Sequence, residues 1–287
     1  MGSEMCIRDS SQLPASRTYP QLSNAGLNAT AAAVAVDEYG NKRDGFIAAE
    51  RPLTVYLDKR EVVTLMTMGC EPELLILGWL RNQNLLADLD QLKAIQVDWE
   101  TESVAITTFA GVDGLDEKLG RKTVTTGCGQ GTVFGNLMEN VEQLQLPQVA
   151  LQQSMIYALL KRLSEHNEVY KQAGGVHGCA LCCGDEILAF VEDVGRHNAV
   201  DALAGYMWLN DISGGDKVFY TTGRLTSEMV IKVAQMGIPV LLSRSGITQM
   251  GLEIAQQVAV ILIARAKGRH FMVYHGAEQI EFDAVPV

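Results

Sequence analysis

In the stretch AAERPLTVYL at 48–57, Leu53, Val55 and Leu57 alternate with other residues, and after a polar break Glu61–Met68 is again rich in β-branched and apolar residues. Period-two alternation predicts a hairpin of half-buried strands. Glu71–Gln83 (EPELLILGWLRNQ) opens with acid and proline and places Leu74, Leu75, Leu77 and Leu80 at helical spacing, the pattern of a short amphipathic helix. Ile95–Glu100 and Ser103–Phe109 alternate like two further strands, whereas Gly111–Gly135 loses periodicity in a glycine-rich polar stretch containing TVTTGCGQGTVFG. Leu151–Asn167 has helical spacing, Gly174-Gly175 breaks the chain, and Val176–Cys183 resumes as a strand. Three strand–loop–helix units follow: Ile187–Glu192 runs into DVGRHNAVDALAGYM, Lys217–Thr221 into TGRLTSEMVIKVAQMG, and Pro239–Ser243 into RSGITQMGLEIAQQ. Ala259–Ala264 and His270–His275 close the chain around the basic turn Arg265–Arg269. Repeated βα units predict an α/β fold, a mixed sheet with flanking helices and some parallel pairing, preceded by a smaller β-rich lobe.

The opening Met1–Ser10 shares no pattern with the rest and reads as sequence gained in processing or cloning, and 11–45 is rich in Ser, Ala, Asn, Gly and Thr. The expected division is therefore a mobile, partly non-native leader at 1–45, a β-rich lobe at 46–150 and an α/β lobe at 151–287.

A hydrophobic content of 47% in 287 residues supports a well-buried core. The formal net charge of −11 excludes a general binder of phosphate backbones, so nucleic acid is not an expected partner, while a local basic pocket stays compatible with it. Six cysteines, at 6, 70, 128, 179, 182 and 183, are too few and too uneven for a disulfide-stapled secreted scaffold. No run approaches the roughly 18 apolar residues of a membrane span, and the start lacks the pattern of a signal peptide. The expectation is a cytoplasmic protein without a membrane partner.

Candidate chemistry begins at Gly127-Cys128-Gly129-Gln130-Gly131. Flanking glycines let backbone N–H groups turn toward the sulfur, stabilising the reactive thiolate, and leave room for a bulky donor. The same residues also suit a buried cysteine in a tight turn. His177, Cys179 and Cys182 have spacing that suggests zinc, but no second pair stands ready to complete four ligands, and the deaminase signature is missing. On a strand Cys179 and Cys183 share one face and Cys182 takes the other, which also fits ordinary packing. Glu192–Asn198 gathers polar residues between a strand and a helix, where binding residues concentrate, although Asp193 or Asn198 as a helix cap, or an Asp193–Arg196 pair, would explain them too. Thr222-Gly223-Arg224 and Ser243-Arg244-Ser245-Gly246 occupy equivalent places, each offering N–H groups, a hydroxyl and an arginine at a helix start. Together with the Arg265–His270 turn they predict a pocket for an anionic, nucleotide-like ligand.

These segments, in this order, resemble the FdhD family of formate dehydrogenase accessory sulfurtransferases. The resemblance is carried by EDVGRHNAVD at 192–201, GGVHGCAL at 174–181, TTGRLTSEMVIKVAQMGIPVLLSRS at 221–245, ERPLTVYL at 50–57 and the glycine-flanked Cys128, and it covers about residues 45–280. It implies a homodimer with a core like that of the cytidine deaminases but without their zinc, and with no catalytic metal of its own. It further implies sulfur taken as a persulfide from a cysteine desulfurase and delivered to bis-molybdopterin guanine dinucleotide, the molybdenum cofactor of formate dehydrogenase. Cys128 falls at the family's persulfide cysteine, and Arg265, Ala266, Lys267, Gly268, Arg269 and His270 fall where the family binds that guanine nucleotide-containing cofactor. Two departures stand out: Gly131 replaces the second cysteine of the usual Cys-Gly-x-Cys, and Asn82-Gln83-Asn84 replaces the usual Ser-Glu-Gly. The competing readings are a non-catalytic chaperone of the cofactor and a zinc hydrolase built on His177, Cys179 and Cys182.

Overall fold

The computed structural model describes residues 19–112, 114–115, 123–124, 132–133 and 144–284, with only the backbone of 123–124 and 132–133. Cys128 and its flanking glycines lie outside the described residues, as does the start of the expected leader. Strands β1 Gln21–Leu22, β4 Arg51–Leu57, β5 Arg60–Thr67, β6 Leu92–Asp98 and β7 Ser103–Thr108 make a five-stranded sheet in the order β1-β6-β7-β4-β5. Strands β11 His177–Cys183, β12 Glu186–Asp193, β13 Lys217–Thr221, β14 Val240–Ser243, β15 Ile261–Lys267 and β16 His270–His275 make a six-stranded one in the order β12-β11-β13-β14-β15-β16. Short pairs complete the set: β2 Thr30–Val36 with β3 Lys42–Ala48, β8 Thr123–Val124 with β9 Thr132–Val133, and β10 Leu151–Gln152 with β17 Ile280–Glu281. The helices are α1 Pro72–Asn82, α2 Gln153–Glu165, α3 Glu168–Ala173, α4 Arg196–Leu209, α5 Ser227–Gln235 and α6 Gln249–Gln257. Among the described residues no helix is long and apolar enough to cross a membrane.

The fold is α/β, and its larger sheet is mixed. β13, β14 and β15 run parallel, as successive βα units require, while β11 pairs antiparallel with both β12 and β13. Cys179, Leu181 and Phe219 face α4, α5 and α6 on one side of this sheet, and Ala180, Cys182, Val218 and Tyr220 face α2 on the other. Period-two alternation along β11 and β13 thus feeds two separate cores.

Helix α1 joins the two sheets. The amphipathic reading of this segment is corrected: Leu75, Ile76, Leu77, Trp79 and Leu80 are all buried, because the five-stranded sheet packs on one side of the helix and α4 on the other. The approach to α4 is set by glycine. A Cβ at Gly78 would stand 1.6 Å from the carbonyl oxygen of Asp201, and one at Gly205 would stand 2.0 Å from that of Leu74. Both helices therefore touch backbone to backbone, a spacing only hydrogen side chains permit. The family departure at the end of α1 also acquires a physical account. Asn82 is buried and its Nδ2 donates to Asp201 Oδ1 at 2.7 Å. Asn84, where the family has glycine, takes the left-handed conformation (φ 54°) just past the helix end, which asparagine tolerates best after glycine.

Residues 21–48, which overlap the expected leader, form regular structure. β1 pairs in parallel with β6, and Glu73 on α1 accepts from Ser23 Oγ at 2.6 Å and from the Ala25 N–H at 2.7 Å. Trp99 Nε1 donates to the Ala25 carbonyl at 2.6 Å, which ties the segment to the first sheet. Residues 30–48 form the β2/β3 hairpin, whose small alanines concealed it in a composition typical of loops.

Candidate functional site

The carboxyl ends of β13 and β14 and the amino end of β11 meet at one edge of the six-stranded sheet. Open α/β sheets place ligands at such strand ends, because loops there lead into helix starts. Thr221, the last residue of β13, is fully buried, and its hydroxyl accepts from the Gly223 N–H at 3.0 Å and from the Cys179 thiol at 3.2 Å. Thr222 is pinned to β11: its N–H donates to the Gly178 carbonyl, its Oγ1 accepts from the Gly178 N–H at 3.0 Å, and that oxygen lies 3.5 Å from His177 Nδ1. A Cβ at Gly223 would fall 2.8 Å from Arg196 Cδ, so glycine there lets the Arg196 side chain lie under the loop. The Ser243 hydroxyl donates to the Gly223 carbonyl at 2.7 Å and accepts from the Ser245 N–H at 2.9 Å. The next bonds zip the loops together: Arg244 N to Thr221 O, Leu225 N to Gly246 O, Thr248 N to Leu225 O, and Arg265 N to Ser245 O at 2.8 Å. Arg265 reaches this last bond in the left-handed region (φ 53°), a costly conformation for a residue with a Cβ.

This geometry redistributes the expected roles. The N–H groups of Thr222, Gly223, Arg244 and Ser245 are spent within the loops, and the Ser243 hydroxyl holds them in shape. Positive charge comes instead from the exposed side chains of Arg224, Arg244 and Arg265, which have no carboxylate within ion-pair distance among the described residues. Arg265, Ala266 and Lys267 belong to β15 rather than to a turn, which is confined to Gly268 and Arg269; Ala266 is buried in the core against α2. Lys267, Gly268, Arg269 and His270 project past the last β14–β15 pair at Leu242–Ile263, and Arg269 leans over the Tyr157 ring at 5.5 Å. Thr222, Gly223, Arg224 and Ser243 are thus gathered with the Arg265 backbone, while the tip of the turn stands further out.

The Glu192–Asn198 segment serves mainly to join the sheets. Asp193, buried at the end of β12, accepts from Thr67 Oγ1 at 2.6 Å, from the Met68 and Gly195 N–H groups, and from Asn198 Nδ2 at 2.7 Å. Asn198 also donates to the Met66 carbonyl at 2.7 Å. Burial holds the Asp193 carboxyl above the usual range despite these bonds. Behind it lies a second buried network, in which Lys232 Nζ bonds both oxygens of Asp201 at 2.8 and 2.9 Å and His197 Nε2 lies 3.2 Å from Glu228 Oε2. Burial, with Lys232 and Arg196 adding positive charge, pushes His197 down to about 2.

Stability should therefore depend on acid in a set direction. The unfolded chain protonates this histidine near 6.5 while the folded one does not, so stability is full above that pH and falls as acid is added. On the order of 2 kcal/mol should be lost between pH 6.5 and 5 relative to a His197→Asn variant. Denaturant titrations at both pH values check this; identical slopes in the two proteins would contradict a neutral, buried His197.

The cysteines divide by environment. Cys179 and Cys182 are free, buried and on opposite faces of β11, and burial pushes each thiol up to about 12. Cys70, before α1, does not gain the low value its helix position suggests: burial, with Asp193 and Glu71 adding negative charge, pushes it up to about 11. It opens on a cleft of about 340 Å³ whose walls include Glu71, Glu168 and Glu192, the wrong surroundings for a thiolate. Cys183 lies at the strand's end, its Sγ 3.7 Å from Asp216 Oδ2. His177, Cys179 and Cys182 do not converge, and no metal-holding cluster occurs among the described residues.

A similar fold is found in a crystal structure of a candidate formate dehydrogenase accessory protein from Desulfotalea psychrophila. The two superpose with a TM-score of 0.69 at 24% identity over 88% of this chain and 98% of the other, a likeness that establishes the fold. Residues 48–281 match the FdhD/NarQ family, and the chain belongs to that family. Relatives named sulfur carrier protein FdhD include one from Shouchella clausii, 31% identical over 83% of this chain and 91% of its own, and one from Bacillus subtilis, 28% identical over 84% and 92%.

Proposed function

We propose that this chain is a cytoplasmic sulfur carrier with sulfurtransferase activity, serving the maturation of a formate dehydrogenase. Cys128 accepts sulfur from a cysteine desulfurase: its thiolate attacks the outer sulfur of the donor persulfide, the donor S–S bond breaks, a new one forms at Cys128, and the donor cysteine leaves as a thiolate. The terminal sulfur then passes to bis-molybdopterin guanine dinucleotide, bound as cargo: the Cys128 S–S bond breaks, Cys128 is released as a thiolate, and the reduced metal of the cargo would supply the two electrons that bring the sulfur to the sulfide level. Arg224, Arg244 and Arg265, held by the Thr222–Gly223 and Ser243–Ser245 loops and extended by Lys267 and Arg269 at the β15–β16 connection, attract its pyrophosphates. As in the family at large, the working unit is a homodimer.

The observation that carries this reading is the match to relatives named sulfur carriers over 83% of the chain. It is supported by the cysteines, since Cys70, Cys179 and Cys182 all sit where a thiolate is disfavoured. One observation favours a second reading, a cofactor chaperone without sulfur chemistry: Gly131 stands where the family's partner cysteine would be.

The cargo site is tested with GDP as the guanine-nucleotide probe. At a hundredfold excess over its Kd it should stabilise the protein by about 2.7 kcal/mol, and the effect should shrink with added salt. Arg224→Glu combined with Arg265→Glu should remove the protection. No protection of the wild type, or full protection of the double variant, would show the site to be misplaced.

A further inference from the structure

The cationic edge includes one side chain whose charge is not fixed by its type. His177 begins β11, half-buried beside the Thr222–Arg224 loop, with its Nδ1 3.5 Å from Thr222 Oγ1. That oxygen already accepts the Gly178 N–H, so its own hydrogen is left to point either at a neutral imidazole or away from it. The charged and titratable groups around His177 come from three neighbouring elements. Asp193, its register partner on β12, has its carboxylate filled by Thr67, Met68, Gly195 and Asn198. Arg196 and His197 come from α4, and Arg224 from the loop after β13. Burial and then the charges of Arg196 and Arg224 hold His177 below its ordinary range, so it is neutral while no anion is near. A phosphate group seated on Arg224 would offset those two charges and reverse the balance.

We propose that His177 is a proton-taking contact of the anion site, drawing a proton from solvent when a pyrophosphate docks between Arg224 and Thr222. The protonated Nδ1 then donates to Thr222 Oγ1, which turns the threonine hydrogen outward to the phosphate. One proton uptake thus adds a positive charge and a hydroxyl donor at once. The inference rests on the reading of this edge as the cargo site, and goes beyond it by coupling cargo affinity to pH.

The probe is GDP-mannose, whose two phosphates are both esterified and do not titrate near neutrality. Calorimetry in two buffers of different ionisation enthalpy reads protons taken up per ligand bound. The wild type should take up between zero and one proton between pH 6 and 8, and its affinity should fall by up to tenfold per pH unit across that range. His177→Gln and His177→Asn should bind with flat pH dependence and no buffer-dependent heat, while His166→Gln, an exposed histidine after α2 outside the site, should behave as the wild type. Flat affinity in the wild type, or linkage that persists in both His177 variants, would overturn the inference and leave the cargo site standing. Failure of the wild type to bind GDP-mannose at any pH would overturn both.

Discussion

Alanine at Gly205 is expected to destabilise the protein by about 3 kcal/mol or more, the upper range for a side chain forced into a filled contact. Its methyl would stand 2.0 Å from the Leu74 carbonyl oxygen and 2.9 Å from the Gly78 nitrogen, both backbone atoms of α1 that cannot swing aside. The helices would have to separate, stretching the Asn82–Asp201–Lys232 network that spans them. Gly78→Ala should be at least as severe, since its Cβ would meet the Asp201 carbonyl at 1.6 Å. Helix propensity alone predicts the opposite sign, a gain of about 1 kcal/mol for alanine over glycine. Gly45→Ala, with nothing within 4 Å of the added carbon, is the control and should be near neutral. Chemical denaturation decides the matter; a Gly205→Ala protein as stable as the wild type would mean that α1 and α4 are not in backbone contact.

The second large effect concerns sulfur. Cys128→Ser should abolish both persulfide loading and formate dehydrogenase maturation, while GDP protection stays within twofold of the wild type, because anion attraction uses arginines and sulfur chemistry does not. Cys179→Ser with Cys182→Ser should load sulfur normally, since neither thiol is ionised near neutral pH and both face cores. Maturation that survives in Cys128→Ser would favour the chaperone reading. Loading lost only in the Cys179/Cys182 double variant would move the chemistry to β11.

Much of the fold was legible in the periodicity. Lys217–Thr221 and His270–His275 form strands with those bounds, and the alternation of Leu53, Val55 and Leu57 marks the buried face of β4. The second and third βα units feed the parallel run β13, β14, β15, whereas β12 of the first pairs only with β11, antiparallel. What escaped was set by tertiary contact. Nothing local distinguishes an amphipathic helix from one buried between a sheet and another helix, which is what α1 turned out to be. The β2 strand, TAAAVAV, is too poor in large side chains to stand out from a loop-like composition. Arg265 appeared to sit in a turn because four basic residues cluster there, yet its backbone is drawn to Ser245 within a continuing strand. At the site the hydroxyls and arginines were recognisable, but not their division of labour. That Ser243 and the loop N–H groups are consumed internally depends on the pairing of two loops more than twenty residues apart, and Asp193 gave no local sign that its partners were Thr67 and Met68 of the other sheet.

The measurement that bears most directly on the sulfur-carrier reading is the intact mass of the wild-type protein after incubation with a cysteine desulfurase and cysteine, followed by peptide mapping without reductant. A gain of one sulfur, removable by reductant and confined to the peptide that contains Cys128, is the expected result. An unchanged mass under conditions in which the desulfurase is itself loaded, or a gain confined to the peptide of Cys70 or of Cys179–Cys183, would contradict it.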